Sequence, residues 1–503
     1  MIDMRKERML LRIQRPVQRA IRALLLVAIV ASSTTFASHA WAAASSDARI
    51  EELEAKINAL TEEIRKQATD DEAASKNAAS DARVDAIDEK VDVLAEEMGR
   101  LEANLAVPEE ATLTSFSGLG PAASKVYQRE SGISIGGYGE VLSRSFVNEG
   151  TDKQNNDVFD ALRAVLYVGY KFNDKWVFNS ELEFEHGGTG GGGSVSTEFL
   201  TLDYLHRDEV NLRAGLLLMP MGFINEIHEP TAFFGADRPQ IEQKILPSTW
   251  RENGAGVFGT IADRVQYRAY VVNGFRGKNF SSDGLRGGRQ KGSRALSNDF
   301  AFVARVDVDA AAGLSVGGSV YTGQSGQDED FTSSIDDSTR SLPDAQLTIY
   351  ELHAQYKRHG LSLRALWTQS FLENSAKLSR ATDRNFTADP GDESRTFGLV
   401  GTSSGIASRM QGFYVEAAYD VLPLLMPETR ASLEPYFRFE QYDTQAKVNG
   451  AYTRDRSKDV DLYVVGVQIK PIPQVVFKVD YSNFRPQRGS KADQVQVLMG
   501  YAF

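Results

Sequence analysis

The residues best placed to do chemistry in this 503-residue chain are cations. Arg276, Lys278, Arg286, Arg289, Lys291 and Arg294 face only Asp283 across 276–294. Such a cluster attracts anions; it would also serve to bind acidic surface sugars or simply to keep a loop soluble. Arg238 and Arg251 lie in 220–251, a stretch rich in Pro and aromatics, where they can contact ions or pair locally with Asp237 and Glu252. Other patterns carry less. Gly401-Thr402-Ser403-Ser404-Gly405 matches G-x-S-x-G but lacks the strand–turn–helix setting that exposes a nucleophile. Glu226, His228 and Glu229 could hold a metal, although adjacent carboxylates beside one His more often form a solvated loop. With 6 His and 0 Cys, thiolate chemistry is excluded and no Ser–His pairing stands out. The residues therefore point to ion contact rather than catalysis, and they call for no cofactor and no metal.

The elements that must position these cations differ along the chain. Net charge is -12, which argues against nucleic acid as a partner. Residues 1–44 hold seven Lys/Arg against Asp3 and Glu7, whereas 45–110 hold 8 basic and 19 acidic residues. Arg5 to Arg22 precede a short apolar run, Ala23–Val30, and then small residues ending in Ala40-Trp41-Ala42. That order reads as a secretory signal over 1–42. The apolar run is too short to span a bilayer as a helix.

Residues 45–108 read as a coiled-coil helical segment. Ile50, Leu53, Ile57, Leu60 and Ile64 alternate at spacings of three and four, and Val84, Ile87, Val91, Leu94, Met98, Leu101 and Leu105 resume the pattern. The seam weakens between the two blocks, at Gln67, Asp71, Ala74 and Ala78, so a local irregularity is expected there. Residues 109–132, with Gly118, Gly120 and Pro121 among Ser and Thr, read as a linker.

From Ile133 the period falls to two. Trp176, Phe178, Leu182 and Phe184 alternate with Asn179, Glu181, Glu183 and Glu185; Val495, Val497, Met499, Tyr501 and Phe503 alternate with polar or small residues. Sixteen such segments of about ten residues, joined by alternating long and short connections, are what a closed transmembrane β-barrel requires. The expected fold is all-β: a 16-stranded antiparallel transmembrane barrel over 133–503, preceded by a periplasmic coiled coil. The long connection 220–251 is expected to fold inward as a constriction.

The stretch Met219–Gly256 contains Pro220-Met221-Gly222-Phe223, Phe234-Gly235, Asp237-Arg238-Pro239 and Pro247-Ser248-Thr249-Trp250-Arg251-Glu252. With Gly136-Gly137-Tyr138-Gly139-Glu140 and Arg286-Gly287-Gly288-Arg289-Gln290-Lys291-Gly292, it is similar to the phosphate-selective porin O and P family. The resemblance covers roughly 133–503. It implies an outer-membrane diffusion channel, usually trimeric, with loops folded into the lumen; partners would be outer-membrane lipid, small solutes or anions, and further copies of the chain. Family members selective for phosphate line the lumen with Arg rows and a Lys cluster. Here Arg163, Lys171, Arg213, Arg305 and Arg438 are mixed with Glu181, Glu183, Glu185, Asp307 and Glu440, so phosphate selectivity does not follow. The pore and anion-contact candidates are Arg238, Arg251, Arg286, Arg289, Lys291 and Arg294. A substrate-specific uptake barrel for siderophores or metal complexes, or an envelope tether, is the alternative.

Overall fold

The computed structural model describes residues 115–147, 155–332, 339–382, 405–427, 429–449 and 452–503. The signal and coiled-coil segments expected from the sequence lie outside these residues. The first strands are β1 (Gly132–Val147), β2 (Val158–Lys171), β3 (Trp176–Glu185), β4 (Ser194–Arg207), β5 (Val210–Leu218) and β6 (Arg251–Ile261). Next come β7 (Val265–Asn273), β8 (Phe300–Ala311), β9 (Leu314–Gly323), and the short β10 (Asp330–Thr332) and β11 (Thr339–Ser341). The last are β12 (Leu347–Arg358), β13 (Leu361–Leu372), β14 (Arg409–Tyr419), β15 (Ser432–Lys447), β16 (Asp459–Ile472), β17 (Val475–Pro486) and β18 (Asp493–Ala502). All but β10 and β11 form one closed antiparallel barrel of sixteen strands, in which β18 pairs with β1. β10 and β11 make a separate hairpin inside a long connection, which the alternation had not suggested.

The two faces of the wall explain the closure. Along β14, Met410, Gly412, Tyr414, Glu416 and Ala418 are buried inside, while Phe413 and Val415 are exposed outside. On β15, Glu434, Tyr436, Arg438, Glu440 and Tyr442 are buried and Phe437 is exposed. This inverts the pattern of a water-soluble sheet, since charges are buried and large apolar side chains face out. Water would penalise that outer surface by roughly 25 cal/mol per Å². A closed sheet also leaves no unpaired edge, as an apolar surrounding demands.

Short turns gather at the end of the barrel where the chain terminates. Asn173 Oδ1 accepts from the backbone N–H groups of Lys175 (2.9 Å) and Trp176 (3.0 Å), closing the β2–β3 turn. The β12–β13 turn is His359-Gly360, both in the left-handed region (φ 52° and 78°), the twist that suits a two-residue hairpin. At this end Tyr170, Phe172, Trp176, Tyr419, Tyr501 and Phe503 are exposed on the outside and form an aromatic girdle. The chain end is locked in: Phe503 N donates to Gly137 O at 2.8 Å, and Gly137 N donates back at 2.9 Å.

Candidate functional site

The connection between β5 and β6 folds into the lumen, where wall residues hold it on all sides. His228 Nε2 lies 3.1 Å from Glu181 on β3, and Glu226 pairs with Arg268 on β7 at 3.0 Å. Arg305 on β8 donates to Gly222 O, and Arg364 on β13 to Ala232 O at 3.4 Å. Tyr414 Oη on β14 donates to Glu242 at 2.7 Å, and Arg438 on β15 donates to Phe234 O at 3.0 Å. Lys470 on β16 donates to Thr231 O at 2.9 Å, and Lys478 on β17 to Phe233 O at 2.6 Å. Asp237 closes the circuit, accepting from Arg144 on β1 (2.7 Å) and Gln496 on β18 (2.8 Å). Gly235 makes one of these approaches possible: its φ is 89°, and a Cβ there would stand 3.0 Å from Arg438 Nη1.

The apolar residues of the loop fill the lumen beside the long connections. Met219, Met221, Ile241, Ile245, Leu246 and Trp250 are buried in one cluster with Tyr270, Phe275, Tyr321 and Leu347. The Trp250 and Phe275 rings stack at 4.5 Å. At the opposite mouth, residues 115–128 lie against the inner wall. Asn179 Nδ2 donates to Ala123 O at 2.8 Å, Tyr127 Oη donates to Asp203 at 2.8 Å, and Glu229 accepts from Ala122 N at 2.9 Å. That stretch reads as linker from its Gly and Pro, yet its backbone is fixed by strand side chains.

A cleft of about 920 Å³ lies between β3–β6 and the connection from β7 to β8, with Thr249 of the β5–β6 loop at its edge. Glu183, Glu185, Glu198, Arg251, Arg286, Arg289 and Lys291 line it. The carboxylates are largely matched by wall arginines. Glu198 pairs with Arg251 at 2.6 Å, and Arg163 lies 3.2 Å from Glu183 and 3.0 Å from Glu140. The cations of the β7–β8 connection are bound differently, to carbonyls of the β5–β6 loop. Arg286 Nη1 donates to Ser248 O, and Arg289 Nη1 to Pro247 O (3.1 Å) and Thr249 O (2.8 Å). Carbonyl oxygens orient a guanidinium without cancelling its charge. Burial, then the neighbouring Arg286 charge, lowers the Arg289 pKa to about 9; burial and Arg289 also lower that of Lys291. Three cations crowded together and partly desolvated on one wall favour an anion in the space between.

The candidate residues thus separate. Arg251, Arg286, Arg289 and Lys291 meet in the cleft. Arg238 is buried in the loop with Nε and Nη2 lacking hydrogen-bond partners among the described residues, and its charge acts on Arg286. Arg294 is exposed, with φ 47°, outside the residues lining the cleft. The local pairs considered for Arg238 and Arg251 do not form, because Asp237 bonds Arg144 while Glu252 accepts from Asn273 Nδ2 at 2.6 Å. Arg276 and Lys278 are both taken by Glu329, at 2.6 Å and 3.4 Å. Glu226, His228 and Glu229 turn to three different partners, so they do not gather around a metal. Alternation marks Glu183 as lumen-facing, as expected, but Glu198 was missed: no spacing signal singles it out among the acidic residues of the strands.

No family model matches the chain. A protein of Aquifex aeolicus (strain VF5), described as "Uncharacterized protein", is 35% identical over 389 residues, which is 76% of this chain and 82% of that protein. Among solved structures, Salmonella typhi OmpF in complex with daunomycin is 12% identical and has a TM-score of 0.47, covering 74% of this chain and 98% of that one. A loop-deleted OmpT of Vibrio cholerae is 11% identical with a TM-score of 0.46, covering 75% and 100%. The outer-membrane channel DcaP of Acinetobacter baumannii is 13% identical with a TM-score of 0.45, covering 74% and 97%. With TM-scores below 0.5, these likenesses are too loose to carry a function across.

Proposed function

The chain belongs to the family of that Aquifex aeolicus protein; the kinship brings no activity with it, and from the barrel itself we propose an outer-membrane channel for passive diffusion of small hydrophilic solutes. The closed wall with an apolar exterior supports residence in the outer membrane, and the charged lining of the cleft supports a water-filled path. The loop 219–250 narrows that path, and passage is assigned to the cleft that Arg286, Arg289 and Lys291 line. The channel favours anions mildly. The observation that carries this is the bonding of Arg286 and Arg289 to backbone carbonyls, with no close ion pair among the described residues, while the facing Glu198 is paired with Arg251.

An enzyme is the less favoured reading, since the lumen chemistry offers ion pairs rather than an activated nucleophile. Association into a trimer, and a periplasmic coiled coil over 45–108 behind a signal over 1–42, belong to the same proposal. So does kinship with the phosphate-selective porins, with which the inward fold of 219–250 agrees, although selectivity for phosphate itself is not proposed. One observation favours a narrow, selective path over a wide one: loop side chains and residues 115–128 both occupy the lumen. The test is a planar-bilayer recording of the purified protein under a salt gradient. A conducting pore with an anion-directed reversal potential is expected; absence of conductance rejects the channel, and cation preference rejects the assigned bias.

A further inference from the structure

The turn between β14 and β15 differs from the other connections at its end of the barrel. Those are short and, apart from Ala312-Gly313, carry polar or charged residues, such as Asn173-Asp174-Lys175, Asp208-Glu209 and Asp263-Arg264. This one reads Val421-Leu422-Pro423-Leu424-Leu425-Met426-Pro427, seven residues without a polar side chain. Leu424, Leu425 and Met426 are 69%, 74% and 58% exposed. The turn is also well fixed. Asp420 Oδ1 accepts from Leu422 N and Leu433 N, both at 3.1 Å; Val421 N donates to Leu433 O at 2.9 Å, and Met426 N to Leu422 O at 2.8 Å. A structured turn that shows three large apolar side chains to water would be costly, so a partner is required.

What adjoins it identifies the partner. By alternation from exposed Tyr419 and Phe437, Val421 and Leu433 continue the outward phase of their strands. Just along the wall, an apolar dent of about 400 Å³ includes Ala354, Ala365, Val415, Ala417 and Phe437. The turn therefore extends the lipid-facing surface past the aromatic girdle, towards the headgroup level. We infer that Val421–Pro427 is a membrane-interfacial anchor, seated at the headgroup–acyl boundary of the leaflet on the short-turn side. This inference rests on the outer-membrane reading above.

The chain has 0 Cys, so single cysteines report cleanly. Full-length L425C is labelled with an environment-sensitive fluorophore and reconstituted in phosphatidylethanolamine–phosphatidylglycerol vesicles that carry nitroxide on the upper acyl chain. L352C, on the exposed outer face of β12, and D263C, in a polar turn at the same end, are the references. The expected result is nitroxide quenching at L425C approaching that at L352C, with iodide quenching severalfold below that at D263C. Iodide quenching equal to D263C, with L352C still quenched by lipid, would overturn the anchor while leaving the barrel reading intact. Shielding of L425C from both quenchers would assign the turn to a protein contact, such as a second copy, and also overturn it. Loss of lipid quenching at L352C would remove the membrane reading and the anchor with it.

Discussion

Arg438, in the wall on β15, donates from Nη1 to the backbone oxygen of Phe234 at 3.0 Å, although 204 positions of sequence separate them. Its Nη2 also reaches Asp237 O at 3.2 Å, and its Nε lies 2.8 Å from Glu440. One buried side chain thus serves both the charge balance of the wall and the position of the inward loop.

Replacing Arg438 with Met should therefore do two things. It leaves Glu440 buried beside an apolar chain, a loss of about 3–5 kcal/mol on the scale for breaking a buried pair. It also removes two of the bonds that hold the Phe234–Asp237 stretch, leaving those from Arg144, Lys478 and Gln496. A lower denaturation midpoint together with a larger or noisier single-channel conductance is expected. Unchanged conductance would show that the loop is held without this contact.

The reversal potential should follow Arg286, Arg289 and Lys291. Neutralising all three as Gln is expected to bring the anion-to-cation permeability ratio from above one to one or below, with barrel assembly unchanged. In the wild type the preference should fade with salt, as the Debye length shrinks from about 10 Å at 0.1 M to about 3 Å at 1 M. A ratio indifferent to both changes would mean that ions pass elsewhere.

Arg276 and Lys278 belong to the same run of sequence but are held by Glu329. Their joint replacement by Gln should leave the reversal potential close to that of the wild type. A shift as large as that of the triple variant would show that the pair with Glu329 opens in solution.

Anion preference should weaken with alkali earlier than arginine chemistry normally allows. The Arg289 pKa is lowered to about 9, chiefly by burial, so the group is charged below that value and loses its proton above it. Lys291 is lowered as well. Reversal potentials recorded from pH 7 to 10 should move towards cations, and the Arg289→Gln variant should move less over the same range. Identical profiles would assign the change to other groups.

Much of the barrel was legible because period-two alternation is a local signal, and each strand carries it by itself. Tyr414 and Glu416 inside, Phe413 and Val415 outside, can be read without knowing the neighbouring strand. The cleft was half legible. Sequence presents Arg276 and Arg289 as equivalent members of one cationic run; only the fold brings Glu329, 53 positions away, to the first and leaves the second on carbonyls. The apolar cluster around Trp250 was hidden for a similar reason, since Phe275 joins it from the β7–β8 connection and Tyr321 from strand β9. The packing of 115–128 depends on Asn179 and Asp203, whose polar side chains look like ordinary lumen residues.

The ties of the inward loop also dictate an order of assembly. Its anchors lie on β3, β7 and β8 and on strands through β18, so no partial sheet holds a complete set of them. The wall must be stitched together first, and the loop can lock only afterwards, like a spoke tensioned once the rim has closed. Before that lock the sixteen strands already fix the width of the cylinder, but its bore is open and its wall lacks internal ties. The last folding event is the one that sets its bore, and resistance of the cylinder to flattening arrives with that event.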